Sequence, residues 1–214
     1  MQATGHPGRA AYPPSRQDQR QYPASAALVL DHALPAEHAA GLLAYALANR
    51  ARFTPAATLA PDLSVQRDGL RKARTLADLG QFHGLAGHIL SAHRDAVHAR
   101  FGPIAIQPGA LEEEIAASGD GDFFARHNDS GAAPVAHRRF TLILYLHRQP
   151  RPFSGGTLLI YDPDSAAACV PVDAIEPRHN RCVLFPAAAF HEILVVATAP
   201  GDFSASRFAV TSWF

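Results

Sequence analysis

From about residue 104 onward the chain breaks into short β-type runs separated by clusters of Gly, Pro, Asp and Asn. The runs fall at 123–127, 140–147, 157–161, 182–185, 192–197 and 207–214. Strands this short bury their apolar faces by stacking sheet on sheet, so the spacing predicts an antiparallel sandwich or barrel. The first half is different. Residues 26–30 read as a short strand. Residues 34–49 read as a helix, with Pro35 in its first turn and Leu42, Leu43 and Leu47 at helical spacing. Residues 52–82 read as strands and loops, and residues 83–100 as one helix ended by Gly102-Pro103. The expected fold class is mainly β with N-terminal helices (α+β). The expected organisation is one domain over 25–214, with helical support at 34–103 and the β core at about 104–214. Residues 1–24, rich in Pro, Gln, Arg and Gly, read as a disordered arm.

Composition narrows the function class. Lys plus Arg and Asp plus Glu number 19 each, so the formal net charge is zero. A balanced chain has no bulk attraction for nucleic acid or anionic membrane, and neither is expected as a partner. No apolar run approaches the roughly 18 residues of a membrane span. The N-terminus lacks the apolar core of a signal peptide, so a cytoplasmic location is expected. Cys169 and Cys182 form no CxxC pair and read as small buried hydrophobes.

The 12 histidines need sorting. His83, His88, His93 and His98 recur every fifth residue. On a helix each such step rotates about 140°, so the four cannot share a face, and they read as surface or packing residues. The pattern His-x-Asp occurs twice. In a helix, His93 and Asp95 would point roughly 200° apart. In a strand, residues i and i+2 project from one face, so His127 and Asp129 can converge on one cation. A third ligand must come from a distant strand. His191, which opens the run after Leu184-Phe185-Pro186, is the candidate, with His147 and His179 as competitors. Two histidines and one carboxylate on one face of an ion leave positions open, the arrangement of non-haem Fe(II) oxygenases.

The last run supplies a cation. By period two, Arg207, Ala209, Thr211 and Trp213 share one face, and Phe208, Val210 and Phe214 the other. A guanidinium in so apolar a strand needs an anion, either a structural carboxylate or that of a ligand. On the run at 140–147, Thr141, Ile143 and Tyr145 share a face with Arg139, and the Tyr145 phenol could bond the same carboxylate. Gly155-Gly156 reads as a tight turn or bulge that lets strands approach closely. Trp213 reads as either pocket wall or core, and Arg138 as a solvated barrel rim.

Four motifs in order carry a family resemblance: Gly121-Asp122-Phe123-Phe124-x-x-His127-x-Asp129, Phe153-Ser154-Gly155-Gly156-Thr157-Leu158, Phe185-Pro186-x4-His191-Glu192, and Arg207-x3-Thr211-x-Trp213-Phe214. Together they resemble the Fe(II)- and 2-oxoglutarate-dependent dioxygenases of the prolyl 4-hydroxylase superfamily. Their flavour is that of the oxygen-sensing prolyl hydroxylase branch and its bacterial relatives. The resemblance implies a double-stranded β-helix (jelly-roll) core. It implies Fe(II) held by His127, Asp129 and His191, with the far carboxylate of 2-oxoglutarate on Arg207 and Tyr145. Thr141 and Thr211 are the further cosubstrate hydroxyls expected on the same inner faces. Dioxygen is the other cosubstrate, and ascorbate a supporting reductant. The implied reaction hydroxylates an unactivated C–H bond while 2-oxoglutarate becomes succinate and CO2. The substrate would be a prolyl or other amino-acid residue of a peptide or protein, or a small amino-acid-like molecule, selected by loops at 55–72 and 147–154. Phe124 and Ala209 depart from the family pattern, since many relatives carry Tyr and Ser there. Each departure removes a hydroxyl near the cosubstrate. A jelly-roll metal-dependent hydrolase or isomerase, or a non-enzymatic binding or sensor module, are the competing expectations.

Overall fold

In the computed structural model of the chain, the described residues are 26–59, 65, 66, 69–107, 109–161 and 170–214. The expected N-terminal arm, 1–24, and Cys169 lie outside them. Along the chain, strand β1 (Leu28–Asp31) leads into helix α1 (Ala36–Ala48). Five short strands follow: β2 (Thr54–Pro55), β3 (Thr58–Leu59), β4 (Val65–Gln66), β5 (Arg71–Lys72) and β6 (Arg74–Leu76). Helices α2 (Leu85–Ala92) and α3 (Arg94–Phe101) come next, then β7 (Glu112–Ser118), β8 (Phe123–His127) and β9 (Phe140–Leu146). The rest is β10 (Ser154–Gly155), β11 (Leu158–Tyr161), β12 (Pro171–Ile175), β13 (Arg181–Pro186), β14 (His191–Ile193), β15 (Val196–Ala197) and β16 (Arg207–Trp213). Among the described residues, no helix is long and apolar enough to cross a membrane.

Two antiparallel sheets form the jelly roll. The major sheet runs β1-β13-β9-β16-β7-β6-β2 and the minor sheet β12-β11-β14-β8-β5. Both faces of the major sheet are covered. Its outer face packs Leu142, Leu144, Phe208 and Val210 against Ala39, Leu42 and Ala46 of α1 and against Ile89 of α2. Its inner face sets Ile143, Tyr145 and Ala209 against Leu158 and Ile160 of the minor sheet. A strand buried on both faces reads as an unbroken apolar run, which is why 140–146 showed little alternation. Each fully buried Leu or Phe side chain here contributes about 1.5–3 kcal/mol.

Strands are found within 52–82, as expected there, and β2, β5 and β6 among them join the two sheets. The expected single helix over 83–100 is two, because His93 (φ −111°, ψ 27°) leaves the helical region between α2 and α3. Its Nε2 sits 3.0 Å from the Ala33 carbonyl, so a tertiary contact holds the break. The start of α2 is held from the major sheet: the Glu113 carboxylate accepts from the Gly84 and Ala86 N–H groups at 2.7 and 3.3 Å. An acid at a helix N-terminus is stabilising, since it meets unpaired N–H groups and the positive dipole end. Strands β7 and β12 were not foreseen. The Glu112-Glu113-Glu114 run that opens β7 hides it from a hydrophobicity reading.

Candidate metal centre and anion pocket

Strands β8 and β14 pair so that His127 and His191 face each other directly across the ladder. The register then slips: Ile193 pairs with Phe124, three residues back on β8 against two on β14. Such a bulge breaks the strict alternation of a strand and re-aims side chains. Phe124 and His127 therefore both line the cavity, with their rings stacked at 3.5 Å and 16°. Asp129 lies two residues beyond β8, and its N–H donates to the Ala187 carbonyl at 2.9 Å.

The three side chains form a compact set. Their ligand atoms all lie within 4.8 Å of one another. His127 Nε2 is 3.6 Å from Asp129 Oδ1, and His191 Nε2 is 3.5 Å from Asp129 Oδ2. Ligands at right angles on an ion about 2.1 Å away would sit about 3 Å apart, and the two His–Asp separations are within about half an ångström of that spacing. Each imidazole is oriented from behind. His127 Nδ1 meets the Ala125 carbonyl at 2.8 Å, and His191 Nδ1 the Ala189 carbonyl at 2.9 Å. A carbonyl oxygen only accepts, so Nδ1 carries the proton and the Nε2 lone pair faces the site. The Thr141 hydroxyl donates to Asp129 Oδ2 at 2.6 Å, so its one proton is committed to the carboxylate.

The electrostatics suit a cation. Burial opposes ionisation of Asp129, but His191, His127 and the Thr141 hydroxyl overcome it and hold the carboxyl well below the usual range. Burial pushes His191 down to about 4, against the pull of Asp129. A carboxylate and a neutral imidazole are the protonation states that bind metal. The competitors do not join. His147 and His179 pair with each other beyond β9, where the His147 N–H donates to His179 Nδ1 at 3.2 Å. Burial lowers both of their pKa values.

A second feature shares the cavity. Arg207 is 1% exposed, and its Nε and Nη2 have no hydrogen-bond partner. The guanidinium carbon lies 4.6 Å from the centre of the Tyr145 ring, and the Tyr145 hydroxyl is likewise buried without a partner. A buried cation without a counter-ion costs several kcal/mol. Such a group fits a site whose anion arrives as a ligand. Arg207 is placed by Gly156, at φ +70°, whose missing side chain leaves room for the Arg207 stem. Ala209, Thr211 and Trp213 line the same cavity, as period two required.

Sequence reasoning missed several lining residues. Arg71 from β5 reaches Glu114 of β7 at 2.5 Å and lies over the Phe124 ring at 4.9 Å, tying the two sheets together at the rim. Ser118, Ala116 and Ile193 also line the cavity. Arg138 is not simply solvated: it forks onto Glu112 at 2.9 and 2.5 Å and covers Trp213 at 4.5 Å. The pairing of β7 with β16 and β6 that sets these contacts has no local sequence signal.

Residues 114–214 match the family model of the 2OG-Fe(II) oxygenase superfamily. An uncharacterized PKHD-type hydroxylase of Synechocystis sp. is 31% identical over 107 residues, 48% of this chain and 35% of that one. The match thus spans about a third of that curated relative. A prolyl-4-hydroxylase of Pseudomonas putida superposes with a TM-score of 0.62 at 22% identity, covering 92% of this chain and 95% of its own. A prolyl hydroxylase of Trichoplax adhaerens, solved with a hypoxia inducible factor peptide, gives 0.59 at 20% identity, covering 89% and 83%. The structures share the fold. The resemblance carried by the four motifs holds at the level of the superfamily, whose members use Fe(II), 2-oxoglutarate and O2.

Proposed function

We propose, taking residues 114–214 as a 2OG-Fe(II) oxygenase domain, that this protein hydroxylates an unactivated C–H bond of an amino-acid-like substrate. The substrate would be a prolyl or other amino-acid residue, or a small amino-acid-like molecule. The domain would extend over 25–214, with 34–103 as support and 1–24 as an arm, in a cytoplasmic setting. The observation that carries the reading is the pairing of two features in one cavity: an oriented His-Asp-His triad, and a buried guanidinium with unpaired donors.

His127, Asp129 and His191 would hold Fe(II), which together with 2-oxoglutarate and O2 supplies the oxidising power. The chain's own residues orient and shield. Ala125 and Ala189 carbonyls fix the two imidazoles, and Thr141 fixes Asp129. Arg207 and Tyr145 would anchor the far carboxylate, so that the bound diacid cannot rotate. Phe124 and Trp213 would line the substrate's approach and exclude water. No side chain need act as a general acid or base. The buried unpaired Arg207 also speaks against a plain metal-dependent hydrolase, which has no use for it.

The test is anaerobic addition of Fe(II) and then 2-oxoglutarate to the full chain, followed by air and a panel of amino acids and peptides. The expected results are a visible charge-transfer band that needs both ligands, succinate release, and a product heavier by one oxygen atom. Absence of the band and of any succinate would refute the reading.

A further inference from the structure

Asp129 is the member of the triad least held by its own strand. It lies two residues past the end of β8, outside the β8–β14 ladder. The loop that begins there runs through one 3-10 turn at Ala133–Val135 and returns to the major sheet at Phe140. Arg138 closes that loop on itself, since its Nη1 donates to the Asp129 carbonyl at 3.4 Å. The same guanidinium is anchored on β7, with Nε and Nη2 forked onto the two Glu112 oxygens. A planar fork on a carboxylate fixes orientation as well as distance. The guanidinium also lies over the Trp213 ring, its carbon 4.5 Å from the ring centre. Trp213 sits between Glu112 and Thr141 in the ladders of the major sheet, and Thr141 is the residue that bonds the Asp129 carboxylate.

We infer that Arg138, braced by Glu112, is a positioning residue for the metal centre: it fixes the backbone that aims Asp129 and holds Trp213 against the cavity. Ala187 takes the Asp129 N–H and Thr141 takes its carboxylate, so Arg138 completes the set at the carbonyl. An arginine can do both tasks at once, because it offers donors along its edge and a flat cation to an aromatic face. An ammonium group has no such fork, so lysine cannot grip Glu112, reach Asp129 and lie flat on the indole together. With its side chain only 13% exposed, the brace is screened little by solvent. The inference rests on the oxygenase reading, in which the triad holds Fe(II).

The experiment needs no turnover. Anaerobic titration calorimetry of the metal-free full chain reads the Fe(II) Kd. Acrylamide quenching of Trp213, the single tryptophan of the chain, reads the cavity wall. Arg138→Gln should raise the Fe(II) Kd about tenfold, as loss of a partner that orients a ligand does. It should also leave Trp213 more readily quenched than in the parent. Arg138→Lys should show the same two changes. Glu112→Gln should show them more weakly, and adding it to Arg138→Gln should cost nothing further, since the brace then has nothing to hold. Arg52→Gln is the control: it breaks an arginine–carboxylate pair, with Asp78, that does not line the cavity, and it should leave both readouts unchanged. Parental Fe(II) affinity in the Arg138 variants overturns the inference alone. Full rescue by lysine, or equal weakening in Arg52→Gln, also overturns it, since the first marks charge alone and the second a general loss of stability. A parent chain that binds no Fe(II) overturns the oxygenase reading, and the inference with it.

Discussion

Replacing Gly156 by alanine isolates what places Arg207. A Cβ built on Gly156 would meet Arg207 Cδ at 2.6 Å, Val196 Cγ2 at 3.0 Å and Arg207 Nε at 3.1 Å. Carbon atoms pack at about 3.5–4.0 Å, so the Arg207 stem must retreat by roughly 1 Å. The backbone at φ +70° adds the left-handed penalty of about 1–2 kcal/mol for a non-glycine residue. Overpacking a close contact adds about 1–3 kcal/mol. Together these come to about 2–5 kcal/mol, so a domain with more than the lowest usual stability of about 5–15 kcal/mol stays folded through the loss. Ligand binding should suffer more than stability, because a guanidinium moved by about 1 Å loses its alignment with a carboxylate. The expected weakening of 2-oxoglutarate binding is on the order of 10- to 100-fold. Gly201→Ala is the matched control, since Gly201 has φ +77° and nothing within 4 Å of a built Cβ. It should show the backbone cost alone. Urea unfolding gives the stability term, and anaerobic titration of Fe(II)-loaded protein gives the binding term. Parental affinity in Gly156→Ala, or equal loss of affinity in the two variants, would refute the reasoning.

Three further outcomes can be checked. Arg207→Met keeps the volume but removes a buried unpaired cation, so its melting temperature should equal or exceed the parent's while 2-oxoglutarate binding disappears; marked destabilisation would show that the guanidinium has a structural counter-ion. Thr141→Val removes the hydroxyl that holds Asp129 and should weaken Fe(II) binding about 10- to 100-fold, as read by metal titration, while His127→Ala and Asp129→Ala should abolish turnover as well. Asp31 is held below the usual carboxylate range, chiefly by its hydrogen bonds from Arg181, which pin edge strand β1 to β13. A carboxyl whose folded pKa is depressed stabilises the fold above its unfolded pKa of about 3.9 and loses that contribution as pH falls through the folded value. Asp31 is half-exposed, so Asp31→Asn should cost under about 1 kcal/mol at pH 7, and the gap to the parent should shrink toward pH 3 in urea titrations.

Much of the site follows from periodicity alone. His127 and Asp129 emerge as a possible pair because i and i+2 share a strand face. Arg207, Ala209, Thr211 and Trp213 face one cavity while Phe208 and Val210 face the helices, as a period of two demands. These are local properties, and a strand of this composition carries them wherever it lies. Other features have no local signature. Along the chain His191 is the candidate third ligand with His147 and His179 in competition, and the direct pairing of β14 with β8 is what puts His191 against His127. The bulge that turns Phe124 to the same side as His127 is a mismatch between two strands, so neither strand shows it by itself. The helix over 83–100 breaks at His93 because the Ala33 carbonyl, 60 residues away, offers its ring a partner. Gly156 shows the same division. Its glycine pair is visible as a turn signal, but the reason for it is the arginine stem that β16 brings to rest against it. Side-chain direction along a strand is set by the backbone's own alternation and is written in the amino-acid order. Which strands become neighbours, and in what register, is set by the packing of two whole sheets, and that decides which of those side chains meet.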